Sequence, residues 1–166
     1  MTHAQREHAL AVMDYLYAHR SVFDYPPGDQ RDNRDGFTWH LTESRLHAFV
    51  AGGGRPQLDC SEAGSFVLKC AGAWHWSSAG YTGSHLETIH PHYTDARAAG
   101  VAALVVFGPG TGHHEAVVHT PDATHGDPLL WSHGHSGCDL IKLSVLAESQ
   151  ARSGHPGVRF LSVAHL

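Results

Sequence analysis

Residues 103–118 read ALVVFGPGTGHHEAVV. An apolar run rich in valine, a Gly-Pro-Gly-Thr-Gly turn and a second apolar run predict two strands joined tightly enough to pair antiparallel. Working outward, Pro128-Leu129-Leu130-Trp131-Ser132 and Val158-Arg159-Phe160-Leu161-Ser162 are further short runs bounded by Gly, Pro and Asp, and Asp139-Leu140-Ile141-Lys142-Leu143 is a candidate fifth. Sequential strands without helical crossovers of a dozen residues must pair mostly antiparallel. Upstream the period changes. Thr2-His3-Ala4-Gln5 has the form of a capping box, and Leu10, Met13, Leu16 and Tyr17 recur at helical spacing, predicting a helix over 3–19. A short helix is expected over 42–49, with Leu46 and Phe49 on one side. A stronger one spans 59–72, with Glu62 in its first turn and Ala63, Phe66, Val67, Cys70 and Ala71 as a buried stripe. Residues 25–36 and 74–83 read as loops, followed by a polar segment to Tyr93 and a one-turn helix through Arg97. Helices first and a meander afterwards give an α+β domain, its helices packed on one face of an antiparallel sheet of about five strands.

With 166 residues, the chain has material for one core and reads as a single domain, residues 1–54 forming a helical and loop region before a core over 55–166. The longest apolar run, Val101–Phe107, is far short of the roughly 20 residues a bilayer-spanning helix needs, and Met1–Arg20 lacks the pattern of a secretory signal. Membrane insertion is not expected. Eleven Lys and Arg against 16 Asp and Glu give a formal charge of −5, which offers no basic field for a phosphate backbone and argues against nucleic acid as a partner. Seventeen histidines are the compositional anomaly, and most are expected at the surface, where they titrate near ~6.5. Cys60, Cys70 and Cys138 are an odd set for a disulfide framework. On one helix Cys60 and Cys70 would lie ~15 Å apart, so synthesis in a reducing compartment fits.

Cys60 falls at the predicted start of the 59–72 helix, where free amide donors and the helix dipole favour a thiolate and could also hold a developing oxyanion. The alternative is a small buried hydrophobe, the role most free cysteines have. A catalytic thiol also needs a base carried to it by the fold. His113 and His114 open the second strand of the hairpin, one pointing inward and the other outward, and His133 ends the next strand, where it could orient the imidazole.

In this order, Leu58-Asp59-Cys60-Ser61-Glu62-Ala63, Leu104–His114 and Leu129-Leu130-Trp131-Ser132-His133-Gly134 resemble the NlpC-type papain-like cysteine peptidases of cell-wall hydrolases. The similarity is greatest to the catalytic modules of actinobacteriophage endolysins and covers roughly residues 55–165. It implies a papain-like NlpC-type fold in which a helix carrying the nucleophile packs on an antiparallel sheet carrying the base. By this resemblance Cys60 corresponds to the nucleophile, His114 to the general base and His133 to the orienting residue. Asp59, Ser61, His113, Trp74, Trp76 and Tyr81 are expected to line the substrate cleft, although the aromatic loop could equally cover a hydrophobic edge. The chain departs from the family pattern in several places, among them Ala102-Ala103 where Gly-Asp is usual before the Leu-Val-Val strand. Glu62 stands where Gly is usual, Glu115 where an apolar residue follows the base, and Phe49 where many members carry a tyrosine whose hydroxyl reaches the active site.

The resemblance implies acyl transfer without a cofactor, cleaving an amide of the peptidoglycan stem peptide, often that between D-glutamate and diaminopimelate. The expected protein is a monomeric bacteriolytic enzyme of phage, an endolysin held in the host cytoplasm until lysis brings it to the cell wall, or a virion-associated lysin. Two other classes stay open. A zinc-binding hydrolase could draw on His133-x-His135, Cys138 and Asp139 with His113, His114 and His119 on the neighbouring strand. A catalytically silent wall-binding or phage structural module would need none of these groups.

Overall fold

The computed structural model describes residues 1–25, 42–73, 81–134 and 137–162. Among them are five α-helices: α1 (His3–Ala18), α2 (Glu43–Ala51), α3 (Cys60–Cys70), α4 (Thr82–Thr88) and α5 (Leu143–Arg152). Six strands form one sheet: β1 (His92–Tyr93), β2 (Leu104–Phe107), β3 (His114–Thr120), β4 (Leu129–Gly134), β5 (Gly137–Lys142) and β6 (Val158–Leu161). The class is α+β, as expected, and every strand pair is antiparallel in the order β1-β6-β2-β3-β4-β5. Strands β2 to β5 form the meander read from the sequence, after which the chain passes through α5 and returns as β6 on the far side of β2.

Alternation along the central strands divides the core. Leu104, Val106, Val117 and Trp131 face the helices, in one cluster with Val12, Met13 and Leu16 of α1 and Phe66 and Val67 of α3. Val105, Phe107, Val118 and Leu130 face the other way, against Leu143 and Leu146 of α5. Helices therefore cover both faces, where a single covered face was expected. Residues 139–143 suggest only a strand, yet Leu143 and Leu146, three apart, are the start of a helical stripe.

Helix α1 begins at the expected capping box: Gln5 N–H donates to Thr2 Oγ1 at 3.2 Å, and Gln5 Oε1 accepts from Thr2 N–H at 2.8 Å. Helix α3 is central, lying between α1 and strands β3 and β4, and residues 60–68 are buried all round. Its polar side chains must then find partners inside the protein. All three cysteines are free. No helix among the described residues is long and apolar enough to cross a membrane.

Candidate active site

The start of α3 is built by its own first residues. Asp59 is the extended N-cap; its Oδ1 accepts from Glu62 N–H at 2.8 Å and from Ser61 Oγ at 2.9 Å, while Glu62 Oε2 accepts from Asp59 N–H at 3.1 Å. Glu62 thus completes a capping box. Asp59 and Ser61 border a cleft of about 290 Å³, but both side chains are buried and committed to each other. Cys60 follows as the first helical residue, 7% exposed, and lines the same cleft.

Two donors reach the Cys60 sulfur. The Tyr25 hydroxyl lies 3.8 Å away, and the backbone N–H of Glu115, at the second position of β3, donates to it. Tyr25 was not legible as a site residue, because it stands at the head of a Pro- and Gly-rich stretch. Tyr25, and not Phe49, brings a hydroxyl to the sulfur. A parallel bridge holds it there: Asp24 N–H donates to Pro56 O at 2.9 Å, and Leu58 N–H to Asp24 O at 3.0 Å.

A helix start was expected to lower the thiol's pKa. Instead burial, then the charges of Asp59 and Glu115, push Cys60 up to about 12, against the two donors. Desolvation of a thiolate outweighs the amides that would stabilise it. At rest the sulfur is a thiol.

His114 precedes Glu115, so the thiol and this imidazole flank one peptide unit. Its Nε2 is 2.9 Å from Ser132 Oγ on β4. The register explains the contact: Ala116 pairs with Ser132, and His114, two residues earlier, shares their face. His133, expected to orient the base, is one residue further along β4 and points to the opposite face. There it pairs across the sheet with Cys138, Nδ1 to Sγ at 3.0 Å, and its ring lies 5.6 Å from that of Tyr25. The structure therefore replaces His133 by Ser132 as the partner of His114, and puts His133 behind Tyr25.

Burial, then the neighbouring rings of His113 and His133, push His114 down to about 4, with Asp59 pulling the other way. The ring is neutral in the folded chain, whereas an unfolded histidine takes its proton near ~6.5. Stability from this residue is full above pH ~6.5, falls as pH drops toward about 4, and levels off below it. Calorimetry between those limits should show a shallower loss of melting temperature in His114→Gln than in the wild type.

His113 stacks on His155, ring centroids 3.3 Å apart. It borders both the cleft at Cys60 and a second one of about 420 Å³ lined by His114, Ser132 and Asp139; Tyr25 also borders both. The two spaces meet along these side chains. Tyr81, 58% exposed, lines the Cys60 cleft as expected. Trp74, Trp76 and His135 lie outside the described residues, as does the loop read after Tyr25.

Among the described residues no group of three His, Cys, Asp or Glu side chains converges at metal-binding separations. The histidines named for a zinc site are dispersed: His119 Nε2 is 3.0 Å from Asp14, His113 stacks on His155 and His133 pairs with Cys138. Glu115, the residue after His114, has its own buried partner, Nδ1 of His85 on α4 at 2.7 Å. A lone histidine in a short polar segment gave no signal of this.

No protein-family model matches the chain, and no curated protein or solved structure matches it either.

Proposed function

We propose that the chain is a thiol hydrolase of the NlpC-type papain-like kind, cutting an amide bond in the stem peptide of peptidoglycan as a phage endolysin or virion-associated lysin. The observation that carries this reading is the placement of Cys60: first residue of a buried helix, open to a cleft, its sulfur on the N–H that follows His114. Helix α3 against β3 and β4 agrees with the papain-like arrangement of nucleophile and base.

The steps follow from these groups. With Nε2–H donating to Ser132 Oγ, Nδ1 of His114 carries the free lone pair. It takes the Cys60 proton as sulfur attacks the substrate carbonyl, and amides at the start of α3 hold the oxyanion. The imidazolium then protonates the leaving amine. Water, deprotonated by the same nitrogen, releases the acyl group and restores the thiol. Tyr25 OH, at 3.8 Å from the sulfur, steers the thiol toward the cleft.

Incubation with purified peptidoglycan and mass spectrometry of the released fragments tests the reading. New amino termini within the stem peptide are expected; walls left intact by folded protein would refute it. Two further outcomes are specific to the geometry. Ser132→Ala should lower kcat about fivefold, in keeping with loss of roughly 1 kcal/mol of hydrogen bonding to the base. The acid limb of kcat/KM should follow His114 and fall near pH 4 rather than near ~6.5.

A further inference from the structure

Cys60 and His114 open onto different clefts. The sulfur borders the space of about 290 Å³ at the start of α3, whereas the imidazole borders the one of about 420 Å³. Tyr25 and His113 border both, so a bound peptide can run from one into the other. The proposed chemistry assigns its two ends. The attacked carbonyl bonds to sulfur and rests its oxyanion on the α3 amides, which puts the acyl part in the cleft at Cys60. The departing nitrogen takes its proton from His114, which puts the leaving part in the larger cleft.

That larger cleft offers a seat for a cation. Asp139 supplies a carboxylate, and neither lysine nor arginine is among the described residues that border it. Asp139 Oδ1 accepts from Leu140 N–H at 2.8 Å, which fixes the carboxylate, and no salt bridge among the described residues uses its charge. Gln150 of α5 borders the same space, with its Oε1 buried and without a hydrogen-bond donor among the described residues. A buried acceptor left unpaired is costly, and an N–H group entering the cleft would relieve it.

The strand register gives the span. Asp139 stands directly opposite Ser132 in the β4–β5 ladder, and Ser132 Oγ is 2.9 Å from His114 Nε2. The carboxylate therefore lies about one strand spacing, ~4.8 Å, beyond the hydroxyl that the imidazole touches. Diaminopimelate carries its two nitrogens at opposite ends of its carbon chain, ~7 Å apart when extended. With one nitrogen at His114, the other reaches Asp139.

We infer that Asp139 holds the free side-chain ammonium of a diamino acid on the leaving side of the scissile bond, so that stem peptides not yet cross-linked through that amine are preferred. In a cross-link the same nitrogen is an amide, which has no charge to offer the carboxylate. The inference rests on the reading of Cys60 and His114 as nucleophile and base, and adds to it the residue that selects the leaving group.

The probes are L-alanyl-γ-D-glutamyl-diaminopimelate with its side-chain amine free and the same peptide with that amine acetylated, a small mimic of the cross-link. Calorimetric titration of the Cys60→Ala protein at about pH 8, where histidine is ordinarily neutral, reads binding without turnover. The free amine is expected to bind at least about fivefold more tightly than its acetylated form. Asp139→Asn in the same background keeps an acceptor for Leu140 N–H and should bring that ratio to about one. Equal affinities before the second substitution, or no binding of the free amine, overturn the inference. So does a preference that survives Asp139→Asn, because exclusion of the acetyl group by shape alone would persist without the charge. Turnover by the native protein is read separately. Cleavage of both peptides alike would sink the selectivity and keep the hydrolase, whereas selective binding without cleavage would sink the hydrolase and keep the cation seat.

Discussion

Cys60→Ala is expected to release stem-peptide fragments from purified peptidoglycan at least about a thousandfold more slowly than the wild type, with its melting temperature nearly unchanged. The size follows from the chemistry: without sulfur the thioacyl intermediate of the proposed mechanism cannot form. The stability expectation follows from the site. The thiol is small, and removing it spares the cap made by Asp59, Ser61 and Glu62. Cys70→Ala and Cys138→Ala are the controls, since neither residue lines the cleft at Cys60. Fragment release by Cys60→Ala at the wild-type rate would end the thiol mechanism.

Gly112→Ala should cost about 2–5 kcal/mol in urea unfolding and remove most of the activity at assay temperature. Gly112 lies in the turn before His113 with φ +81°, and a Cβ there would come within 2.5 Å of Val106 Cγ1 and 2.7 Å of Thr82 Cγ2. The left-handed backbone contributes about 1–2 kcal/mol. Forcing β2 and α4 apart adds roughly 1–3 kcal/mol. Gly110→Ala is the internal comparison: its φ is +58° with nothing within 4 Å of a Cβ, so only the backbone cost of about 1–2 kcal/mol should remain. Equal midpoints for the two variants would contradict the close packing of that turn on α4.

The turn was also where the sequence spoke most clearly. Gly-Pro-Gly-Thr-Gly between two apolar runs can do little but close a hairpin, and the period of two fixed which residues share a face. Helices α1 and α3 were legible for local reasons, a capping box at the start of the first, an acidic residue in the first turn of the second, and apolar residues three and four apart in both. Helix α4 carried no such period, because Leu86 and His85 meet the core from a seven-residue segment whose other side chains are polar.

Within the site, Cys60 could be singled out because its activation was expected from neighbours along the chain. Tyr25, Ser132 and His85 depend on contacts 35, 18 and 30 residues away, which no local pattern encodes. The choice between Ser132 and His133 turned on the register of β3 against β4, where a shift of one residue exchanges the faces. Resemblance favoured the histidine, and the pleat selected the serine.

The bridge between Asp24 and Gln57 bears on how this chain could be recombined with others. Recombination at the glycines 52–54 would discard the helices before them as if they were a leader. That cut would sever the segment bearing Tyr25 from the strip it lies along, and would uncover the side of α3 that packs against α1. The smallest transferable unit therefore begins ahead of α1, and a fusion partner joined there leaves the thiol with its phenolic neighbour.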